Sequence, residues 1–388
     1  TSPVLKWPAM NASLEHLAGR RVVLGLSGGV DSAVAALLLR DAGADVHALH
    51  MTNWEDDDGY CTAAEDLQDA RHLCVQLGVP FHHVNFAAEY REQVFANFLS
   101  EYRAGRTPNP DVLCNREIKF GVFLAHAKRL GSEYIATGHY ARTRLVNGQT
   151  QLLKARDRSK DQSYFLHAVS EEALSRTVFP LGNLLKADVR AIAREHGFEV
   201  HDKKDSTGIC FIGERPFREF LATYVHATPG PMRTPDGVVL GEHSGLAYYT
   251  LGQRQGLGIG GRREFGDEPW YVAAKDIAGN ALIVVQGDDP LRFSESLIAG
   301  EAHWINGQPG ALDDGGTLCC QAKIRYRQAD QDCTVRVTPD GHLSVSFPMA
   351  QADVTPGQFV VLYEGDRCLG GAAIEQAVGP RQALLKTG

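Results

Sequence analysis

The chain has 388 residues, 44% of them hydrophobic, which is long enough for two or three domains with sizeable cores. A charged fraction of 22% excludes wholesale disorder, and a net charge of −8 excludes a uniformly basic nucleic-acid binder but not a local basic face. No apolar run approaches the roughly 18 residues that cross a bilayer, and the first twenty residues lack the apolar stretch of a signal peptide. We therefore expect a cytoplasmic protein with no membrane partner.

The first half of the sequence alternates short apolar runs with helical patterns. Strands are predicted at Arg21–Leu26, Asp45–Thr52, Phe81–Asn85 and Tyr134–Thr137, and helices at Asp31–Asp41, Thr62–Leu77, Ala87–Ala104 and Asn115–Leu130. This alternation predicts a parallel sheet covered by helices on both faces. In such α/β sheets, ligands bind beyond the carboxyl ends of the strands.

The pattern changes after about residue 180. Leu185–His196 is predicted to be an amphipathic helix, and a loop rich in Lys and Asp follows it. From about residue 238, short strands broken by Gly, Pro and Asp predict an all-β barrel or sandwich; they include Trp270–Ala274, Leu282–Gln286, Gln321–Tyr326, Cys333–Thr338, Leu343–Phe347 and Phe359–Tyr363. We predict three domains: an α/β catalytic domain (1–180), a small central domain carrying Cys210 (181–238) and a C-terminal barrel-like domain (239–388).

The segment Ser27–Ser32 (SGGVDS) lies directly between a predicted strand and a predicted helix. Its glycines allow several N–H groups to point inward, and the helix N-terminus adds positive potential, so the segment suits a phosphate. The lysine of a G-x-x-x-x-G-K-[ST] P-loop is missing. The segment resembles the PP-loop of adenylating ATPases, which cleave ATP between the α and β phosphates and transfer AMP to a substrate oxygen. The alternative is a glycine-rich turn that binds nothing.

A second segment, Asn109–Asn115 (NPDVLCN), places a cysteine where a helix is predicted to begin. Two prolines, Pro108 and Pro110, disfavour helical geometry before it, and the potential of a helix N-terminus favours the thiolate of Cys114. Asp111 lies three residues earlier, close enough to act as an acid or base. The alternative is a helix-start cysteine beside a capping Asp or Asn.

Cys210 lies in the segment Asp205–Phe211 (DSTGICF), downstream of two lysines that would favour its thiolate. Taken alone, this segment is better explained by a buried, inert cysteine. None of the eight cysteines forms a C-x-x-C pair, so the usual zinc-site spacing is absent and no tightly bound metal is expected.

Seven segments together resemble bacterial tRNA-specific 2-thiouridylases, a PP-loop family of three-domain proteins: Gly25–Ser32, Leu49–Trp54, Ala104–Phe120, Ala136–Tyr140, Lys160–Leu166, Lys204–Arg215 and Leu251–Gly261. The resemblance implies ATP-dependent 2-thiolation of a wobble uridine in tRNA. Adenylation of the C2 oxygen would release pyrophosphate, and sulfur transfer from a cysteine persulfide would release AMP. The implied substrates are Mg-bound ATP and tRNA, and the implied protein partner is a persulfide-carrying sulfur donor.

The resemblance also implies roles for individual residues. The ATP contacts would be Gly25, Leu26, Ser27, Gly28, Gly29, Val30, Asp31, Ser32, Met51 and Gly138. The target base would meet Asn109, Pro110 and Asp111, and other tRNA contacts would be His139, Lys160, Asp161, Gln162, Arg325, Tyr326 and Gln358. Cys114 would be the nucleophile and Cys210 the persulfide carrier, with Asp111 as the third catalytic residue.

Other interpretations remain open at this level. A PP-loop ligase that forms an amide would need neither Cys114 nor Cys210, and an ATP-gated RNA-binding module would bind tRNA without releasing pyrophosphate. The basic stretches Arg142–Lys160 and Lys323–Arg327 suit phosphate contacts or base stacking. From charge alone, a solvated hairpin face explains the first stretch equally well, and the alternative for the second is an ordinary exposed strand edge.

Overall fold

The computed structural model describes residues 14–55, 63–203, 216–260 and 265–380. The chain divides into two compact units. Unit 1 comprises Thr1–Phe95, Pro110–Arg215 and Asp366–Leu369, and unit 2 comprises Ala96–Asn109, Pro216–Gly365 and Gly370–Gly388.

The described strands are β1 (Arg21–Gly25), β2 (Asp45–Thr52), β3 (Phe81–Asn85), β4 (Tyr134–Ala136), β5 (Ala141–Val146), β6 (Gln149–Lys154), β7 (Thr177–Val178), β8 (Gly230–Arg233), β9 (Val239–His243), β10 (Trp270–Asp276), β11 (Ala281–Gln286), β12 (Phe293–Glu301), β13 (His303–Trp304), β14 (Leu318–Lys323), β15 (Gln331–Val337), β16 (His342–Ala352), β17 (Phe359–Glu364) and β18 (Arg367–Val378).

The described α-helices are α1 (Val30–Asp41), α2 (Ala63–Leu77), α3 (Ala87–Tyr90), α4 (Ala96–Arg103), α5 (Pro110–Leu113), α6 (Phe123–Arg129), α7 (Ser163–Leu166), α8 (Glu171–Ser175), α9 (Lys186–Glu195) and α10 (Phe217–Ala222). Two π-helical segments, Arg91–Phe95 and Cys114–Val122, interrupt stretches that the sequence predicted to be plain α-helix. Short 3₁₀ turns lie at Glu15–Leu17, Glu199–Asp202, Leu246–Tyr248, Pro290–Arg292 and Gly310–Gly315. Among the described residues, no helix is long and apolar enough to cross a membrane.

Unit 1 is built on a five-stranded sheet of order β3-β2-β1-β4-β7, in which every pairing is parallel. The central strand β1 is a continuous apolar run with Val22, Val23 and Leu24 fully buried, as expected where helices cover both faces. The strand order reverses between β1 and β4. The loops after these two strands therefore meet at the switch point where α/β sheets bind ligands.

Helix α1 follows β1 and is apolar around most of its circumference. Ala33 through Leu39 are all buried, so the helix lies in the core of unit 1, as its lack of a polar face requires. The hairpin β5–β6 also belongs to unit 1, where it pairs with Arg367 and Cys368 of β18.

Unit 2 contains two β structures. A four-stranded sheet has the order β10-β11-β8-β9. The remaining long strands follow the order β12-β16-β15-β14-β17-β18, and β12 also pairs with β18, so this sheet closes on itself as a barrel. Closure removes the unpaired strand edges that an open antiparallel sheet would expose. The predicted fold class, a parallel-sheet domain followed by a small domain and an all-β barrel, is confirmed. The predicted domain boundaries stay predictions.

Candidate active site

The loop after β1 is closed by its own side chains. The Ser32 hydroxyl donates to the Gly29 carbonyl at 3.0 Å and accepts from the Ser27 backbone N–H at 3.2 Å. Gly28 has a φ of +77°, and a Cβ at this position would lie 2.5 Å from the carbonyl oxygen of Asp66 on α2. Both the backbone conformation and the close approach therefore require glycine at position 28.

Helix α1 begins where this loop ends, with Gly29 as its N-cap residue. The N–H groups of a first helical turn have no partners within the helix, and the helix dipole adds positive potential there. Together with the glycines, they form a cradle that suits the pyrophosphate portion of ATP.

Asp31, in the first turn of α1, is held by two distant side chains. Lys186 Nζ donates to both carboxylate oxygens at 2.7 Å, and the Tyr140 hydroxyl donates to Oδ1 at 2.8 Å. Lys186 is only 8% exposed although it stands at the first position of α9. Local sequence patterns did not identify Lys186 as a site residue; the available signal was a lysine directly after the apolar pair in LGNLLK. Lys186 brings a positive charge to a loop that lacks the P-loop lysine.

Gln162 fixes the backbone on which Tyr140 stands. The Tyr140 N–H donates to Gln162 Oε1 at 2.9 Å, and the Gln162 N–H donates to the Tyr140 carbonyl at 2.8 Å. In this structure Gln162 therefore supports Asp31 indirectly, through Tyr140. Its predicted tRNA contact stays a prediction.

Asp161 is buried and accepts hydrogen bonds from its own neighbourhood. The Ala155 N–H and the Ser163 hydroxyl both donate to its carboxylate at 2.9 Å. Lys160 is half-buried, and its backbone N–H donates to the Asp157 carbonyl at 3.1 Å. The predicted tRNA contact of Lys160 also stays a prediction. The predicted tRNA contact of Asp161 stays a prediction too.

The switch point of the sheet brings together further predicted ATP contacts. A Cβ on Gly138 would lie 3.0 Å from the Ser32 backbone nitrogen, so the loop after β4 touches the start of α1. Met51 is near the end of β2, and its Cε lies 3.4 Å from the Cβ position of Gly25. Strand ends that are distant in sequence thus line one edge of the sheet.

His139 lies beside this edge and is buried. Its Nδ1 is 2.8 Å from the Thr137 hydroxyl, and its ring packs against Phe120 and Phe179. Burial, together with the positive charge of Lys119, lowers the pKa of His139 well below its ordinary value. The imidazole is therefore neutral at pH 7, so a contact with tRNA would be a hydrogen bond and not an ion pair.

The helical stretch that carries Cys114 begins at Pro110, five residues earlier than expected. Proline suits the first position of a helix, where its missing N–H would have no partner anyway, so Pro110 starts the helix and does not prevent it. Cys114 therefore lies one turn inside the helical stretch and is 1% exposed. The positive potential of the helix N-terminus, which was expected to favour the Cys114 thiolate, acts on Asp111 instead.

Asp111 and Cys114 are three residues apart in this helical stretch, so their side chains share a face. Burial raises the pKa of the Asp111 carboxyl, and the positive charge of Lys119 opposes that effect. A carboxyl group with a raised pKa is suited to exchanging a proton near neutral pH. This arrangement is compatible with the predicted acid or base role.

Asn115 follows Cys114 and is 2% exposed. Its Nδ2 donates to the Phe165 carbonyl at 3.1 Å, whereas its Oδ1 has no hydrogen-bond partner within the described part of the chain. The bond links the helical stretch around Cys114 to the segment that follows Gln162. The sequence analysis assigned Asn115 no role beyond capping.

Unit 2 holds the predicted base contact Asn109 next to Gln358. Asn109 Nδ2 donates to Gln358 Oε1 at 3.4 Å, and Gln358 Nε2 donates to the Thr107 and Pro108 carbonyls at 2.8 and 3.2 Å. Gln358 was expected to touch tRNA. In this structure its amide group is engaged with the segment that leads into Asn109.

Arg325 and Tyr326 lie in a turn after β14, whereas the sequence predicted a strand through Tyr326. The Gln328 N–H donates to the Arg325 carbonyl at 3.2 Å and closes the turn. Arg325 is exposed and donates to the Ala352 carbonyl at 2.7 Å, while Tyr326 is half-buried. A turn presents these side chains to solvent more freely than a barrel strand would.

The other predicted basic stretch forms the hairpin β5–β6 and the residues after it. Arg142 and Arg158 both donate to Asp366, at 2.8 and 2.5 Å, and Arg156 donates to the Asn183 carbonyl at 3.2 Å. Two of its positive charges thus share one carboxylate within unit 1. The expectation of a phosphate-binding face here stays a prediction.

Cys210 lies outside the described residues. Lys203 is the last described residue before this segment. Its Nζ donates to Asp66 at 2.7 Å and to Asp69 at 2.6 Å, and lies 3.5 Å from the Gly28 carbonyl oxygen. Lys203 therefore ends beside the cradle, with its ammonium on two carboxylates of α2. The predicted meeting of Cys114 with Cys210 stays a prediction.

The parallel sheet, its switch point and the glycine cradle define an α/β protein of the PP-loop class. Residues 20–214 match the tRNA methyl transferase HUP domain, residues 218–286 the tRNA methyl transferase PRC-barrel domain, and residues 294–374 the aminomethyltransferase beta-barrel domain. Proteins named tRNA-specific 2-thiouridylase are similar along nearly the whole chain. The protein from Marinobacter nauticus is 57% identical over 96% of each chain, and that from Methylococcus capsulatus is 58% identical over 91% of this chain and 96% of its own. The chain belongs to the tRNA-specific 2-thiouridylase family.

Proposed function

We propose that this chain catalyses ATP-dependent 2-thiolation of a wobble uridine in tRNA. As a member of its family the chain is a tRNA-uridine 2-sulfurtransferase. The observation that carries the finer mechanism is the presence in unit 1 of both an adenylation-type cradle, Ser27–Ser32, and a cysteine on the same helical face as a carboxyl group.

The first step is adenylation of the C2 oxygen. The cradle holds the pyrophosphate portion of Mg-bound ATP, and the oxygen attacks the α phosphorus, so pyrophosphate leaves. Lys186 fixes Asp31 at the mouth of the cradle and contributes positive potential. The C2 oxygen is a poor leaving group by itself, and AMP makes it a good one.

The second step is sulfur transfer. The terminal sulfur of a persulfide on Cys210, loaded by a donor protein, attacks C2, and AMP leaves with the original oxygen. The Cys114 thiolate then attacks the Cys210 sulfur, the thiouridine is released, and a Cys114–Cys210 disulfide forms. A thiol reductant returns both cysteines to the reduced state. An alternative route, in which Cys114 first releases sulfide from the persulfide, ends in the same disulfide.

The test is reconstitution with purified protein, Mg-ATP, a tRNA bearing an unmodified wobble uridine, and a persulfide-loaded donor. Mass spectrometry of the digested tRNA should show 2-thiouridine, and AMP and pyrophosphate should accumulate in equal amounts. Appearance of ADP and free phosphate as the main products would contradict adenylation. Formation of an amide product, or tRNA binding without pyrophosphate release, would support the ligase or the binding-module interpretation.

A further inference from the structure

Lys275 is a half-buried lysine of unit 2 that the proposed mechanism does not use. It lies near the end of β10, and its Nζ donates to the Gly105 carbonyl at 3.2 Å. Burial lowers the pKa of this amine to about 8. Withdrawing a lysine amine from water is unfavourable, and the hydrogen bond to Gly105 offsets part of that cost.

The backbone of Gly105 lies close to Ile277, the residue that follows β10. Gly105 has a φ of +76°, and a Cβ there would lie 2.7 Å from Cδ1 of Ile277. Glycine therefore permits the backbone conformation in which the Gly105 carbonyl accepts from Lys275.

The residues after Gly105 are also anchored within unit 2. The Thr107 N–H donates to the Pro356 carbonyl at 3.0 Å, and Gln358 Nε2 donates to the Thr107 carbonyl at 2.8 Å. Asn109 Nδ2 donates to Gln358 Oε1 at 3.4 Å. Gln358 thus holds the end of the stretch, whereas Lys275 holds its beginning.

We propose that Lys275 is a positioning residue for the target-base loop, defined here as residues 105–109. Its amine fixes the Gly105 carbonyl, and Gln358 fixes the other end, so Asn109 is presented in one orientation immediately before Pro110 and Asp111. This inference rests on the proposed function, in which Asn109, Pro110 and Asp111 meet the uridine. A reacting base misplaced by about 1 Å can cost roughly 100-fold in rate, so a firm anchor has a catalytic benefit.

The test compares Lys275→Met with Asp276→Asn. Methionine keeps the length of the side chain but removes the donor. Asp276 is the next residue of the same strand and pairs with Arg233 at 2.7 Å, so its variant controls for disturbance of β10. For Lys275→Met we expect kcat for thiolation to fall about 10-fold or more, with the tRNA Kd unchanged within about threefold and the variant still folding cooperatively. Asp276→Asn should keep kcat.

Hydrogen exchange supplies a readout that does not depend on activity. In Lys275→Met the amides of residues 105–107 and 109 should exchange faster than in the parent, while those of β1 and β4 should not change; Pro108 has no amide hydrogen. Unchanged exchange together with unchanged kcat would overturn the proposal, and so would a weaker tRNA Kd at constant kcat, which would make Lys275 an RNA contact. A parent protein that makes no thiouridine would refute the proposed function, but the exchange comparison would still decide whether Lys275 anchors the loop.

Discussion

Lys186 and Asp31 are 155 residues apart, yet Lys186 Nζ lies 2.7 Å from both carboxylate oxygens of Asp31. The pair joins the first residue of α9 to the first turn of α1. It places a lysine, paired with a carboxylate, beside a cradle that lacks the P-loop lysine, and it ties the orientation of Asp31 to a second element of unit 1.

The first prediction concerns this pair. Lys186→Met should lower the rate of tRNA-dependent pyrophosphate release by about 100-fold, because a preorganised charge beside the phosphates is removed and Asp31 loses its main partner. Quenched time courses of pyrophosphate and AMP release would measure the decrease in rate. Lys128→Met is the matched control, since Lys128 is exposed and only reaches Glu172 at 3.7 Å. Equal rates of pyrophosphate release in the two variants would show that Lys186 has no role in adenylation.

The second prediction concerns the cysteines. Cys114→Ser and Cys210→Ser should each abolish thiolation while leaving tRNA binding and folding near normal, because both thiols enter the disulfide of the proposed cycle. Cys74→Ser should remain active, since Cys74 is buried in the core and burial raises its pKa to about 11. After one turnover without reductant, mass spectrometry should detect a Cys114–Cys210 linked peptide. Full thiolation by Cys114→Ser would disprove this chemistry.

The third prediction concerns RNA binding, which must depend on local basic faces because the net charge is −8. Reversing Arg325 and Arg327 to Glu together should weaken tRNA binding and lower the slope of log Kd against log salt by about 2. Reversal of the exposed Arg336 on β15 serves as a control in the same barrel. Filter binding at several salt concentrations makes the comparison. Identical slopes for all three proteins would exclude this turn as a phosphate contact.

The fourth prediction concerns pH and the stability of unit 2. The folded-state pKa of Lys275 is about 8 and its ordinary value is 10.5, so between these pH values the unfolded chain binds more protons than the folded chain. The stability of the parent relative to Lys275→Met should therefore rise with pH across this window, by at most about 3 kcal/mol. Below pH 8 Lys275 is protonated in both the folded and the unfolded chain, so the free-energy cost of burying its charge is fully present. Thermal unfolding of both proteins from pH 7 to 10.5 measures the difference. A difference in Tm that stays constant with pH would show that folding does not lower the pKa of the Lys275 amine.

Local patterns were sufficient where the relevant interactions lie close together in the chain. The apolar run of β1, the glycines after it and the start of α1 predicted the cradle, because strand pairing, backbone freedom and helix N-termini are properties of short segments. The alternation of strands and helices likewise predicted the parallel sheet.

Local rules were wrong where two of them competed. Pro110 was expected to keep the chain out of a helix, but proline is also a favourable first helical residue, and the helix begins there. The strand predicted through Tyr326 ends at Lys323, where a side chain from Gln328 accepts from the Ile324 N–H at 2.8 Å and turns the chain.

What the sequence by itself determined is thus the fold class, the family and the residue types of the cradle and the two cysteine motifs. Only the tertiary structure decided that Lys186 joins Asp31, that Gln162 supports Tyr140, and that Lys275 and Gln358 hold the two ends of the loop before Pro110. These contacts join residues far apart in the chain, and no local pattern specifies which distant side chain fills a given place. That choice depends on how the sheet order and the packing of each unit bring the segments together.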